Sequence, residues 1–329
     1  MELKFKKVNE YKTGDRVDSY LIIKRVDLKT TNSGGKKYLD FLIGDATGDI
    51  SAKLWEIPVD MEDFFEPNMV VRVRGTVTSY QNQLQFKIER IRLSNDDDDV
   101  DPQTLVKSAP LEPEFMYGEI LTKYIETLEN IDMKLIVERL FRENEEKLMY
   151  YPAAKRNHHS IRSGLLYHVL TMLHLADVIT EVYPFLNHDL LVSGIILHDM
   201  SKLVEMDASD MGIVREYTVQ GTLLGHITLG VQDIGRVGRE VGASDEIVML
   251  LEHMVLSHHY EPEYGSPVKP MFPEAEMLHF IDVMDARMYD MKNIQSGLEP
   301  GTLSDFIQSL DRRKIYRPEF DQDETQGGF

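Results

Sequence analysis

The sequence contains no cysteine, which excludes disulfide bonds, thiolate zinc sites and cysteine nucleophiles. No run approaches the roughly 18 apolar residues of a membrane-spanning helix. The first residues, MELKFKKVNEYKTGDRV, lack the apolar core of a signal peptide. We therefore expect a soluble cytoplasmic protein with no membrane partner. With 42% hydrophobic residues in a chain of 329, two or three folded domains are expected.

Basic charge is scarce as well, since the formal net charge is -20. The deficit is uneven: residues 1–95 carry 16 Lys and Arg against 14 Asp and Glu, and the remainder carries 20 against 42. A strongly acidic surface repels polyanions unless bound cations reverse the local field. If the chain handles nucleic acid, residues 1–95 are the favoured landing surface and the acidic part requires metal ions.

Five short segments within residues 17–93 alternate between apolar and polar side chains. The alternation is clear in KKYLDFLIGD, MVVRVRGTV and QLQFKIERI, and SYLIIKRVDL and GDISAKLW complete the set. A period of two with closely spaced Gly, Asn and Asp turns indicates antiparallel strands. Five strands in about 80 residues predict an OB-fold barrel, to which we assign residues 1–95.

The acidic run SNDDDDVDPQ then breaks the pattern, and we interpret residues 96–111 as a linker. From Glu112 onward, apolar residues recur every three or four positions, which predicts a mostly helical domain over residues 112–317. Residues 318–329 form a polar tail. Within the helical domain we expect loops near residues 152–160, 206–216 and 260–273.

The 11 histidines all lie between His158 and His279. Five apolar helical segments each carry a His or Asp: SGLLYHVLTML, SGIILHDM, GTLLGHITLG, MVLSHHYE and LHFIDVMDA. A single histidine in such a segment is more often a hydrogen-bonded core residue, but five would each need a buried partner of their own. One shared metal cluster satisfies them all. The predicted ligands are His168, His198, Asp199, His226, His258, His259 and Asp282.

Imidazole and carboxylate ligands without sulfur suit Mn, Fe, Co, Ni, Zn or Mg. Six or seven ligands exceed the four of a mononuclear zinc site, so we predict two divalent ions. Asp199 is the natural bridge between them because its neighbour His198 binds one of the two. Metal pairs about 3.5–4 Å apart are the usual device for phosphoester hydrolysis, in which they generate a hydroxide and neutralise the developing charge.

The order His168, His198-Asp199, Asp282 resembles that of the HD-domain superfamily of metal-dependent phosphohydrolases. HDMSK is similar to the HD-x-GK segment, with Ser201 where glycine is common, and GHITLG, SHHYEPEYGSP and IDVMDARM resemble three further motifs of the superfamily. The same set behind an OB-fold and an acidic linker resembles the YhaM-type 3′-to-5′ exoribonucleases over nearly the whole chain.

This resemblance implies a dinuclear site of the manganese type and a single-stranded nucleic acid substrate, shortened from its 3′ end to nucleoside monophosphates. RNA is the expected substrate and partner, single-stranded DNA stays open, and so does the oligomeric state, a homo-oligomer included. The resemblance places His168, His198, Asp199 and Asp282 at the first metal. It places Asp199, His226 and His258 at the second, leaving His259 open.

Asp199 and Lys202 are the predicted catalytic residues. The superfamily often places a lysine near phosphate at the position of Lys202, and the alternative is a solvated lysine at a helix end. The resemblance makes Asp285 a structural second aspartate. We interpret His253 as a core residue rather than a ligand.

Two groups are candidates for substrate binding. His158, His159 and Arg162 precede the first ligand helix, where they either contact phosphate or cap that helix. On the barrel, Tyr38, Trp55 and Lys53 suit base stacking and backbone contact. Their alternatives are an aromatic core and ordinary charged protection of strand edges.

Two rival functions remain. The first is an HD-type nucleotide or cyclic-dinucleotide phosphodiesterase, but a small soluble substrate needs no strand-binding barrel. The second is a non-catalytic single-strand-binding module with a structural metal, but a structural site needs neither two metals nor this many ligands.

Overall fold

A computed structural model of the chain describes residues 6–31, 35–57, 61–81, 83–155 and 159–320. The chain divides into two units, Met1–Ser108 and Ala109–Phe329. Each unit contains a hydrophobic cluster of its own.

The first unit is a closed five-stranded barrel in which the strands follow the order β1-β2-β3-β5-β4 and β4 pairs back to β1. The β3–β5 pair is parallel and the other pairs are antiparallel. This architecture confirms the predicted OB-like barrel. The strands are β1 (Arg16–Thr30), β2 (Lys37–Asp45), β3 (Gly48–Leu54), β4 (Val70–Tyr80) and β5 (Gln83–Leu93).

The period-two pattern of the sequence determines which side chains fill this barrel. In β4, Val71, Val73 and Val77 are fully buried, and the intervening Arg72 and Arg74 lie on the outer face. Successive side chains of a strand point to opposite faces, so a local alternation is enough to separate the interior from the surface.

The first part of the predicted linker is attached to the barrel rather than free. Arg92 donates two hydrogen bonds of 2.6 Å to the carboxylate of Asp98, and the Tyr20 hydroxyl donates to the same carboxylate at 2.7 Å. A short 3-10 helix, Pro102–Leu105, follows. The acidic run thus finds a cation on β5, and the division between the units falls after Ser108.

The second unit is mainly helical. Its first helix continues into a π-helical turn at Ile120–Ile125, and a small hairpin of β6 (Met206–Ala208) and β7 (Val214–Tyr217) interrupts the helices. The helices are α1 (Pro113–Glu119), α2 (Ile131–Glu143), α3 (Glu145–Leu148), α4 (Gly164–Val182), α5 (His188–Leu197), α6 (Lys202–Glu205), α7 (Val219–Val241), α8 (Asp245–Ser257) and α9 (Pro273–Ser296).

Two stretches differ from the predicted secondary structure. Residues 206–216, expected to be a loop, contain most of the β6–β7 hairpin. The helical pattern also ends at Ser296 rather than near residue 317, because Gly297, Pro300 and Gly301 cannot continue a helix easily. The chain beyond forms isolated bridges at Leu303–Tyr316 and Ile307–Arg313.

Helices α4 and α5 form the centre of the unit. In α5, all residues from Leu190 to Leu197 are buried. A Cβ atom added at Gly194 would lie 2.2 Å from Cε of Met254, so this glycine lets α5 approach α8 closely. Among the described residues, α4 is the one helix whose length and mean hydropathy (1.3) would also suit a membrane span, which we did not expect from the sequence. Nine of its residues are buried in this unit.

Candidate metal centre and nucleic-acid interface

The seven predicted metal ligands come from five separate helical segments and converge in the second unit. They form two groups, in each of which the potential ligand atoms lie within 4.8 Å of one another. The tertiary structure therefore brings together residues that span more than a hundred positions of the sequence. One group is His168, His198 and Asp282, and the other is Asp199, His226, His258 and His259.

Two of the histidines lie directly after the ends of helices. His198 follows α5 and His258 follows α8, and Nδ1 of each lies 2.7 Å from a carbonyl three residues earlier, that of Ile195 or Val255. Since a carbonyl only accepts, we infer that Nδ1 carries the proton in both rings. Each ring thus donates to a carbonyl in the last turn of the helix that precedes it. Nε2 of each ring carries a lone pair that faces the cluster.

His226 is positioned by a break in α7. Gly225 has φ 70° and ψ 159°, a conformation that favours glycine. The break frees the backbone N–H of His226, which donates to Oε1 of Glu205 at 3.0 Å, and Nδ1 of the same ring donates to the same oxygen at 3.1 Å. Burial raises the pKa of Glu205, but its bonds with His226 outweigh burial and hold that pKa below its usual value.

His168 is held by a carboxylate on α9. Its Nδ1 donates to Oδ2 of Asp285 at 2.7 Å, and its Nε2 lies 3.2 Å from Oδ1 of Asp282. His159 donates to the same Asp285 oxygen at 2.8 Å and stacks on the Tyr289 ring. His159 is only 1% exposed. This burial is at odds with a direct substrate contact, and its role here is to orient Asp285.

His258 and His259 lie next to each other at the end of α8. Nδ1 of His259 donates to the carbonyl of Tyr264 at 2.6 Å, so its Nε2 is also available to a metal. Burial is the main cause that lowers the pKa of both rings, and that of His258 falls well below its usual range. Both are therefore neutral at pH 7, which is the state that binds metal.

Asp199 connects the two groups of ligands. Its Oδ2 lies 3.4 Å from Nε2 of His198, and its Oδ1 lies 3.5 Å from Nε2 of His226 and 3.8 Å from that of His258. Lys202 donates to Oδ2 at 2.6 Å with its side chain only 12% exposed, so Lys202 is not a solvated lysine at a helix end. Burial lowers the pKa of Lys202, but Asp199 outweighs burial and keeps the ammonium group charged.

The buried atoms of this cluster fit a divalent cation. Nε2 of His198, His226 and His258 and Oδ1 of Asp199 are all buried and make no hydrogen bond. Buried polar atoms without partners are rare because each costs about 1–3 kcal/mol. These four atoms converge and are all acceptors, so none of them can donate a hydrogen bond to another. They form a set of ligands instead. Divalent metal binding is the physical account of this arrangement.

Arg162, a further candidate of the second unit, belongs to neither group of ligands. His158 lies outside the described residues. Arg162 is half-buried, and its Nε donates to the carbonyl of Asp210 beside the β6–β7 hairpin at 3.3 Å. His253, interpreted from the sequence as a core residue, is only half-buried, and it accepts a hydrogen bond from the backbone N–H of Met271 at 3.1 Å.

On the barrel, the structure brings the three candidate residues together. The Tyr38 and Trp55 rings stack with centroids 4.6 Å apart, and Nζ of Lys53 lies 5.3 Å and 5.6 Å from them. Tyr80, which the sequence analysis missed, lies 6.0 Å from the same Nζ and is 61% exposed. The cluster is an aromatic surface with a cation, the combination that binds single-stranded nucleic acid.

A cavity of about 610 Å³ opens onto the metal ligands. Asp199, Lys202, His258 and Asp282 line one part of it. The sequence analysis did not anticipate several other lining residues, Tyr264, His279 and Arg287 among them, or Glu205 behind His226. No spacing in the sequence indicates them, because their partners lie far away along the chain or belong to loops.

Comparison with known proteins agrees with this architecture. The profile of the OB-fold nucleic acid binding domain matches residues 21–94, and that of the HD domain matches residues 165–287. A curated relative, the 3′-5′ exoribonuclease YhaM of Geobacillus sp. (strain WCH70), is 40% identical over 315 residues, which cover 96% of each protein. The chain belongs to the YhaM family. The resemblance noted from the motifs is thereby confirmed. All the metal ligands predicted for this chain lie within the residues that match the HD domain.

Two of the solved structures that match this chain are OB-fold domains. The second OB-fold domain of replication protein A from Methanococcus maripaludis has 17% identity and a TM-score of 0.23, covering 29% of this chain and 98% of that one. The OB domain of Ta0387 from Thermoplasma acidophilum also has 17% identity, with a TM-score of 0.24, covering 29% of this chain and 90% of that one.

Proposed function

We propose that this protein is a metal-dependent 3′-to-5′ exoribonuclease that shortens single-stranded RNA to nucleoside monophosphates. The proposal includes two divalent ions in the HD domain, with Mn²⁺ as the physiological metal. Single-stranded DNA is included as a second substrate. The observation that carries the proposal is the pair of ligand groups that meet at Asp199, because one carboxylate with histidines on both sides suits two cations.

The two cations would be held by residues that already face each other. His168, His198 and Asp282 would hold the first, and His226 and His258 the second, with His259 beside them. Asp199 would contact both, since each of its oxygens faces a different histidine. Glu205 and Asp285 hold ligand rings from behind, as the outer partners of metal-bound histidines do.

When bound, the metals supply a water molecule activated at neutral pH and positive charge beside the phosphate. The protein supplies the rest. Lys202 fixes the orientation of Asp199 and adds a positive charge next to the site where the scissile phosphate would lie. The buried walls exclude bulk water, so these charges act in a medium of lower dielectric constant than water.

The barrel would hold the strand upstream of the cleaved end. Stacked bases on Tyr38 and Trp55 would contribute about 1–3 kcal/mol each, and Lys53 would pair with the backbone. The first 95 residues are also the part of the chain without an acidic excess. This division of labour favours an exonuclease over a cyclic-dinucleotide phosphodiesterase, which has no use for a strand-binding surface.

The experiment is to incubate the purified protein with a 5′-labelled single-stranded RNA, or with DNA of the same sequence, in Mn²⁺ or in EDTA. We expect a ladder of shortening products in Mn²⁺ and none in EDTA. Activity that persists in EDTA would refute the metal mechanism. A product pattern that starts from internal cuts would refute the exonuclease assignment.

A further inference from the structure

The cavity at the metal centre has a second wall, built by the C-terminal hairpin, which we define as residues 303–316. Ser309 and Asp311 of this hairpin line the cavity together with Arg287 of α9. The Ser309 hydroxyl donates to Asp290 on α9 at 2.7 Å and so attaches the hairpin to that helix. The HD-domain match ends at Arg287, and the C-terminal hairpin therefore lies outside it.

The exposed fractions of the lining side chains distinguish the floor of the cavity from its rim. Asp199 and His258 are 2% and 0% exposed. The side chains of Arg287 and Asp311 are 39% and 63% exposed. Arg287 thus lies toward the solvent end of the cavity whose floor holds the metal ligands, on the path that a polymer entering from outside would follow.

The described residues that line this cavity include four carboxylates and two permanent cations. The carboxylates belong to Asp199, Asp282, Asp290 and Asp311, and the cations are Lys202 and Arg287. Lys202 is buried against Asp199. Arg287 is therefore the cation that is placed to meet a second phosphate of a strand whose terminal phosphodiester lies at the floor.

Arg287 now pairs with Asp311, in an ion pair that a phosphate could replace. Nη1 of Arg287 lies 3.0 Å from Oδ2 of Asp311, and Nη2 of Arg313 lies 3.7 Å from the same oxygen. An ion pair between exposed side chains is worth about 0–1 kcal/mol. Asp311 and the following Arg312 have φ 55° and 56°, so the carboxylate is presented by two successive left-handed residues, a conformation that neither favours.

We infer that Arg287 binds the substrate phosphate that neighbours the scissile one, and that Asp311 occupies Arg287 until the strand displaces it. This inference rests on the proposed function. The planar guanidinium group matches two phosphate oxygens at once, which makes it a stronger partner for phosphate than for one exposed carboxylate oxygen. Asp311 then competes with the substrate phosphate for Arg287. A polymer with a regular series of phosphates displaces Asp311.

The test compares Arg287→Gln, Asp311→Asn and the double variant in full-length protein. Two substrates are used, a 5′-labelled single-stranded RNA and bis(4-nitrophenyl) phosphate, which has no neighbouring phosphate. Arg287→Gln should raise KM for RNA by about 10- to 100-fold, the value of a charge-assisted hydrogen bond. Its effect on the small ester, which has no neighbouring phosphate to lose, should be several times smaller than its effect on RNA. Lys292→Gln, which removes an exposed positive charge from the same helix, is the matched control and should leave both unchanged.

Asp311→Asn separates this inference from a structural ion pair. If Asp311 competes with phosphate, its removal should lower KM for RNA severalfold, and the double variant should show no such gain. If the pair only braces the hairpin, Asp311→Asn should raise KM as Arg287→Gln does and lower the thermal midpoint equally, which would overturn the inference. Unchanged KM in Arg287→Gln would overturn it too. Failure of the wild type to shorten RNA would instead reject the proposed function.

Discussion

Oε1 of Glu205 accepts hydrogen bonds from both the backbone N–H and the Nδ1–H of His226, at 3.0 Å and 3.1 Å. Glu205 closes α6 and His226 follows the break in α7. One carboxylate oxygen therefore fixes both the position of the residue and the orientation of its ring. Such outer partners of metal-binding histidines typically contribute 10- to 100-fold to metal affinity.

Glu205→Ala should accordingly weaken metal binding by about 10- to 100-fold. Glu205→Gln should have a smaller effect, because its amide oxygen still accepts from the backbone N–H. Titration of the metal-stripped protein with Mn²⁺ in a calorimeter measures both. Glu216→Gln, which removes an exposed charge from β7, serves as the control. Equal affinity in Glu205→Ala and the wild type would contradict the assignment of His226 as a ligand.

Asp199→Asn should abolish hydrolysis, because the neutral amide cannot share negative charge between two cations. Elemental analysis should find about two divalent ions per wild-type chain and fewer in the variant. Asp207→Asn, at an exposed position on β6, should retain the full metal content and activity. Circular dichroism should show the same helical content in all three proteins. A wild type that holds a single ion at saturating metal would disprove the dinuclear proposal.

Tyr38→Ala should weaken binding of short single-stranded RNA by about 1–3 kcal/mol, the value of one stacked base. Trp55 is the single tryptophan of the chain and stacks directly on Tyr38. Its fluorescence should therefore change when RNA binds, which gives the measurement without a label. Tyr183→Ala removes an exposed ring from the helical unit and should leave affinity unchanged. Unaltered Trp55 fluorescence at saturating RNA would place the binding surface elsewhere.

A circular single strand should survive conditions that degrade the linear strand. The reason is that the ligands line a cavity of about 610 Å³, within the size range of pockets for small ligands, so that a free end must enter it. A duplex at the 3′ terminus should slow or stop shortening for the same reason. Gel analysis of circle, 3′ duplex and linear strand side by side measures this. Rapid opening of the circle would indicate an endonuclease.

Alkaline pH should destabilise the barrel through Tyr11, which is 4% exposed. Burial, with Asp45 and Asp15 nearby, raises the pKa of Tyr11 from 10.0 to about 12. The folded state thus holds this proton more tightly than the unfolded state. The resulting stability is complete below pH 10 and disappears as pH rises to about 12, a loss of about 2–3 kcal/mol.

Urea unfolding followed by Trp55 fluorescence reports on the barrel alone, because the single tryptophan lies there. Between pH 9 and pH 11 the wild type should lose more stability than Tyr11→Phe, which has no proton to release. Tyr80→Phe, at an exposed position, should behave as the wild type does. A parallel decline in wild type and Tyr11→Phe would assign the alkaline loss to other groups.

The sequence by itself determined the two kinds of unit and was enough to name the candidate metal ligands. Alternation in segments such as MVVRVRGTV is a local property, and a strand converts it directly into an inner and an outer face. The ligands were recognisable for a related reason. His168, His198 and Asp282 each stand in an apolar helical segment, where a polar side chain requires a partner whatever the rest of the fold does.

Only the tertiary structure decided which other residues contact these ligands and line their cavity. It placed Glu205 behind His226, turned the buried His159 toward Asp285 and set Arg287 opposite Asp311. None of these contacts leaves a period or a spacing in the sequence. Each depends on how separate helices pack, and packing brings together residues whose distance along the chain carries no information about their distance in space.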